Sequence, residues 1–130
     1  LLDRIDLHIE VPRVPTEVLA NDEPAESSAV VAARVLAARQ RQLDRQGRAN
    51  AQVEGPAVVS HVDAERPALQ LLAGAMRQLA LSARAYHRVL RVARTIADLA
   101  GSTTVTARHV SEAITLRQLD RRSAGSSISA

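Results

Sequence analysis

Three arginines, Arg84, Arg88 and Arg91, are spaced to line one face of a helix. The segment around them, Leu81 to Gly101, reads as one complete helix. Ser82 is a good N-cap residue, and Gly101 stands just past the end, where a left-handed residue is wanted. At about 100° per residue the opposite face collects Tyr86, Val89, Leu90, Ala93, Ile96, Ala97 and Ala100. Arg84 lies two residues after the cap. A guanidinium at the mouth of a helix is well placed to meet an anion such as a phosphate. The solvated basic face of an ordinary amphipathic helix would show the same spacing, and periodicity does not separate the two.

Other chemistries find little support. His8, His61, His87 and His109 include no i, i+3 or i, i+4 pair, and no carboxylate cluster accompanies them, so no metal site is expected. No Ser/His/Asp arrangement is recognisable, and Ser82 is better used as a cap. Asp98 and Glu112 are expected to be solvated or ion-paired rather than catalytic. All 17 basic residues are Arg, and Lys is absent. A phosphate-binding loop of the G-x-x-x-x-G-K-[ST] type needs its lysine to reach the β- and γ-phosphates, so this chain holds no complete ATP site. With a net charge of +3, contact with nucleic acid is permitted but not strongly argued.

The stretch Leu81 to Ser102, together with Leu1-Leu2-Asp3-Arg4-Ile5-Asp6-Leu7-His8-Ile9-Glu10-Val11, resembles the C-terminal part of Mg-chelatase-like AAA+ ATPases. Within these it is most similar to the ComM/YifB group, relatives of the magnesium chelatase ATPase subunit. The resemblance covers nearly the whole chain except its last residues. It implies that Arg4, in Leu2-Asp3-Arg4-Ile5-Asp6, is the trans-acting arginine that reaches a neighbouring subunit's nucleotide. A plain Arg4–Asp3 or Arg4–Asp6 surface pairing is the alternative. It also implies that Arg84 is the sensor-2 arginine on the γ-phosphate of its own subunit, in preference to Arg88, which shares the face a turn deeper. Arg88 and Arg91 are then candidate contacts for nucleic acid or a neighbouring subunit. ATP and Mg would belong to the parent protein, with no cofactor expected for this chain alone. The implied partners are the AAA+ core of the same chain and neighbouring subunits of a ring, with DNA as a further partner and no membrane. The implied location is cytoplasmic.

The elements that must position these arginines follow from pattern. At 130 residues the chain is one small domain, or one domain with fragments attached, and its 46% apolar content is built from Ala, Val and Leu, with no Phe or Trp and one Tyr. Such a core relies on close helix approach and should be only modestly stable. Zero Cys excludes disulfides and fits a reducing compartment. The first residue is not Met and the opening reads as mid-domain, so the chain is expected to be a piece of a longer protein.

Ile5, Leu7, Ile9 and Val11 alternate with polar residues as in a half-buried strand, and Pro12 and Pro15 end it. With no partner strand in sight it should be loose, so residues 1–12 are expected to be a remnant of the last core strand. Residues 13–26, Pro-containing and acidic at Asp22, Glu23 and Glu26, read as a linker. Residues 27–122 read as the helical lid domain, and 123–130 as a disordered tail. The first long helix should start at Ser27 or Ser28 and end near Gly47, burying Val31, Ala32, Val35, Leu36 and Leu43 and turning Arg34, Arg41, Arg45 and Arg48 outward. Arg39 falls within the apolar arc, where its stem can cover core surface. A long connection over 47–60 has Gly55-Pro56 as its turn signal. Asp63 should cap a helix from about Ala64 to Leu79 with Leu69, Leu72, Ala73 and Met76 inward. Thr106 should cap the last helix, to about Leu119, with Val110, Ala113 and Ile114 inward. The expected fold is all-α, a bundle of about four helices of the AAA+ lid type preceded by a loose strand.

Three functions remain open at this stage. One is the lid of an AAA+ ATPase, coupling ATP state to ring motion, whose parent is a DNA helicase or remodeller by its ComM-like resemblance or a true magnesium chelatase subunit. Another is a free-standing Arg-rich DNA-binding module, against which stand the absence of stacking aromatics and the interleaved acids. The last is a protein-interaction bundle without nucleotide.

Overall fold

The structure is a computed structural model that describes residues 6–13, 15–17 and 25–128, with side chains up to Arg117. Among these residues there are five α-helices and no strand: α1 (Ser28–Gln46), α2 (Ala57–His61), α3 (Arg66–Leu79), α4 (Ala83–Ala100) and α5 (Ala107–Ile128), with a 3-10 turn over Asn50–Gln52 after α1. α4 is the central element, touching α1, the 3-10 turn, α2 and α5, while α3 packs on α5.

Local chemistry sets most of the helix ends. Ser27 caps α1 by accepting the Val30 N–H at 3.3 Å, and Gly47 ends it at φ 73°. Ser82 does the same for α4, accepting the Ala85 N–H at 3.2 Å. Gly101 closes α4 at φ 73°, and the Ser102 N–H returns to the Ala97 carbonyl at 2.9 Å, satisfying carbonyls that the last turn leaves open. Thr106 stands before α5, its backbone N–H donating to His109 Nδ1 at 3.0 Å. That histidine, three residues on, occupies the back-bonding place usually taken by Glu or Gln in a capping box.

The core is small-residue and aliphatic, as the composition requires. Leu72, Val89, Leu90, Ala93, Ala97, Val105, Val110 and Ala113 form its centre, closed from the α2 side by Val53, Val58 and Val62. Ala68, Ala93 and Ala97 are fully buried and let neighbouring backbones approach. Truncating Leu72 or Leu90 to Ala would cost about 2–5 kcal/mol. A single parallel bridge, Ala64 to Val105, ties the α2–α3 loop to the α4–α5 loop, with the Glu65 N–H on the Val105 carbonyl at 2.9 Å and the Val105 N–H on the Asp63 carbonyl at 3.0 Å.

Several expectations are corrected. The apolar arc of α1 is not its buried face: Val31, Ala32, Val35, Leu36 and Leu43 are exposed, Leu36 at 70%, and Ala38 and Gln42 are buried instead. Arg41 and Arg45, expected to point outward, face α4, because the polar C-terminal end of α4 offers them partners. Asp63 does not cap α3. It adopts φ 46° to make the bridge to Val105, and the helix starts later, from Glu65 as an N-cap without a side-chain bond. Ala68 and Leu72 are the buried residues of α3, while Leu69 and Ala73 are exposed, since α3 meets the bundle mainly through α5. Ala100 is exposed at the frayed edge of the α4 stripe. α5 runs through Ile128, beyond the expected close at Leu119 and into the tail, because no proline interrupts the backbone ladder. Leu7, Ile9 and Val11 are exposed and form no strand among the described residues. Residues 1–5, 14, 18–24 and 129–130, with Arg4, Asp22 and Glu23 among them, lie outside the described residues.

Candidate functional site

Four arginines of α4 differ in depth, and their surroundings separate what they can do. Arg84, in the first turn after Ser82, is exposed and makes no hydrogen bond or ion pair among the described residues. Arg88, one turn on, is mostly covered, and its Nε lies 3.4 Å from Asp6 Oδ1. Arg91 donates from Nη2 to the Val53 carbonyl at 2.7 Å, and its Nη1 lies 4.0 Å from Asp6 Oδ2. The three share one face as expected, but only Arg84 is open to an outside anion.

The fourth, Arg94, is 3% exposed. Its Nη1 donates to the Val62 and Thr103 carbonyls at 3.1 and 3.0 Å, and its Nη2 to the Ser102 carbonyl at 2.8 Å. Nη2 also lies 3.0 Å from Asp98 Oδ1. Burial pushes this guanidinium below its usual pKa, and Asp98 partly offsets the shift.

Asp98, itself fully buried, is the hub of this centre. Arg45 reaches its two oxygens from α1 at 2.8 and 3.0 Å, a fork-on-carboxylate pairing. Asn50 adds an N–H at 3.0 Å, and Arg41 donates to the Asp98 backbone carbonyl at 2.7 Å. Buried Gln42 accepts the Asn50 backbone N–H at 2.8 Å. A carboxylate so surrounded is held by positive charge and has no free lone pair aimed outward, so it locks α1 to α4 rather than attacking a substrate. Below it a narrow cavity, with room for about one water, is lined by Gln46, Asn50, Val58, His61, Arg91 and Arg94. The Nε atoms of Arg91 and Arg94 are buried and unpartnered.

Of the sequence-predicted residues, Arg84, Arg88 and Arg91 are thus brought together, and Arg4 lies outside the described residues. Asp98 is ion-paired. Arg94, Arg45, Arg41 and Asn50 were missed as a centre. The i, i+4 spacing of Arg94 and Asp98 on the apolar side of α4, beside Leu90 and Ala97, was the available signal. No group of three or more His, Cys, Asp or Glu among the described residues could hold a metal ion. His109 serves the start of α5, and His87 meets the Tyr86 ring edge-on at 5.8 Å between centroids. No helix among the described residues is long and apolar enough to cross a membrane.

The capped helix with an open arginine at its mouth lies within residues 25–117, which match the family described as "Magnesium chelatase, subunit ChlI C-terminal". The chain belongs to this family. Over 121 residues it is 43% identical to the uncharacterized protein YifB of Escherichia coli K12, and 40% identical to the competence protein ComM of Haemophilus influenzae Rd. Each comparison takes in 92% of this chain and 24% of the relative. The uncharacterized protein Mb2921c of Mycobacterium bovis is 34% identical over 126 residues, 94% of this chain and 25% of the relative. The chain therefore spans about a quarter of the length of these relatives and is consistent with the C-terminal part of a ComM/YifB protein.

Proposed function

We propose that this chain is the helical lid of an AAA+ ATPase of the Mg-chelatase-like class, with Arg84 as its contact to the γ-phosphate of its own subunit. The observation that supports this best is the contrast within one helix. Arg88, Arg91 and Arg94 are engaged by the chain itself, while Arg84 is exposed and has no partner among the described residues, at the capped first turn of α4. The residues present suit one part of a nucleotide, a terminal phosphate. The lysine loop that would hold the rest is absent here, so the lid acts with a core supplied by the remainder of a longer chain. ATP, when bound, supplies a phosphoryl group that is present before hydrolysis and gone after it. Arg84 then has an anion to hold in one state and not in the other, which is the differential contact a conformational switch needs. Arg4 is the matching trans arginine toward a neighbouring subunit, in a ring working in the cytoplasm.

Arg84→Ala in the full-length protein tests the reading. ATP turnover is expected to fall on the order of 10²-fold, while the melting temperature of the 130-residue chain stays unchanged. A folded variant with full turnover would remove Arg84 from the nucleotide site.

For the parent's substrate we propose DNA, supported by the likeness to a relative named as a competence protein. Binding of single- and double-stranded DNA across a salt series checks whether this domain takes part. Tight, steeply salt-dependent binding would make it a direct contact, and none would confine it to motion within the assembled ring.

A further inference from the structure

Four arginines share two carboxylates along α4. Arg45 and Arg94 meet Asp98 at 2.8 and 3.0 Å, while Arg88 and Arg91 meet Asp6 at 3.4 and 4.0 Å. All four side chains are mostly out of water, Arg94 at 4% exposure and Arg91 at 18%. The carbonyls of Val53, Val62, Ser102 and Thr103 satisfy single donors, but a carbonyl carries no net charge to cancel. Asp63 adds only the weakest of the influences on Arg94. A desolvated cluster with more guanidinium groups than carboxylates favours a further anion.

The space for one lies below Asp98. Arg91 and Arg94 both line the narrow cavity there, and the Nε of each is buried and unpartnered. The two residues stand three apart on α4, which places them on one side of the helix. The side-chain oxygens nearby are already engaged: Asn50 Oδ1 accepts from Arg45 and Gln46, and Gln46 Oε1 accepts from Arg45. Val53, Val58 and Val62, all core residues, complete the wall, so a charge held here acts through a low dielectric. A water in this place would find donors but few acceptors for its own hydrogens. A monatomic anion needs donors alone, and room for about one water shuts out a phosphate.

We propose that this cavity is an enclosed site for a small monovalent anion of the halide class, held by the Nε–H groups of Arg91 and Arg94. The ion would tie α2 and the 3-10 turn, through Val58 and Asn50 of the same lining, to α4. The site is separate from the open face at Arg84 and does not depend on the lid reading.

The test replaces sodium gluconate by sodium chloride at constant ionic strength and follows the melting of the 130-residue chain. The melting temperature is expected to rise saturably, by about 5 °C once chloride stands tenfold above its Kd. Arg91→Met removes one donor and should raise the half-saturating chloride concentration about tenfold or more. Val58→Ile keeps every charge but adds a methylene to the wall, and should abolish the chloride response. A crystal grown in sodium bromide should show an anomalous bromide peak in contact with both Nε atoms. Equal melting in chloride and gluconate overturns the site, and so does a water in place of bromide. A chloride response that is the same in the wild type and both variants puts the ion on the surface and overturns it too.

Discussion

The two ends of α4 put the same side chain to opposite uses. At the N-terminal end Arg84 stands exposed beside the capped first turn. Near the C-terminal end Arg94 is buried, spending its donors on three backbone carbonyls and on Asp98. The guanidinium is identical in both. What differs is desolvation: a buried cation must be matched by fixed acceptors, and the one donor Arg94 leaves unmatched, its Nε, is buried away from any outside phosphate. Function at one end of the helix and architecture at the other are therefore decided by surroundings, and mutations should separate them.

The largest effect on stability is expected at the buried end. Asp98→Ala would leave Arg45 and Arg94 without their carboxylate and should destabilise the 130-residue chain by about 3–5 kcal/mol. Urea unfolding checks this, and a loss below about 1 kcal/mol would mean that the centre behaves like a surface pair. A smaller effect is expected one turn on. Gly101 sits at φ 73°, and an added Cβ would meet an Arg41 guanidinium nitrogen at an ordinary 3.5 Å. Gly101→Ala should therefore cost backbone strain alone, about 1–2 kcal/mol. At the open end Arg84→Ala should leave the unfolding curve where it is and act only on turnover. A reversal, with Arg84→Ala destabilising and Asp98→Ala silent, would break the comparison altogether.

Much of this was legible in the chain itself. The N-caps Ser27 and Ser82, the stops at Gly47 and Gly101, the break at Ala80 and the inward set Val110, Ala113 and Ile114 are where pattern placed them. Arg84, Arg88 and Arg91 do share a face. The failures have one cause. α1 and α4 are both amphipathic, yet α4 buries its apolar stripe and α1 exposes its own. A stripe is buried only if the fold puts a neighbour on that side. For α1 the deciding partner is Asp98, 53 residues from Arg45 and 57 from Arg41, and its charge draws the arginine face inward. Asp63 was misread for a related reason: its pull as a cap is local, whereas the bridge to Val105 depends on a loop far along the chain.

By itself, then, the sequence determined the helices, their ends and the residue types available to meet a phosphate, because capping and periodicity act over three or four neighbouring residues. Only the tertiary structure decided which arginines remain available. That choice depends on which carbonyls and carboxylates the packing brings to each guanidinium, some a few residues on, such as Ser102 and Asp98, and others far along the chain, such as Val62 and Asp6. Arg94 met four acceptors, Arg88 met Asp6, and Arg84 met none among the described residues.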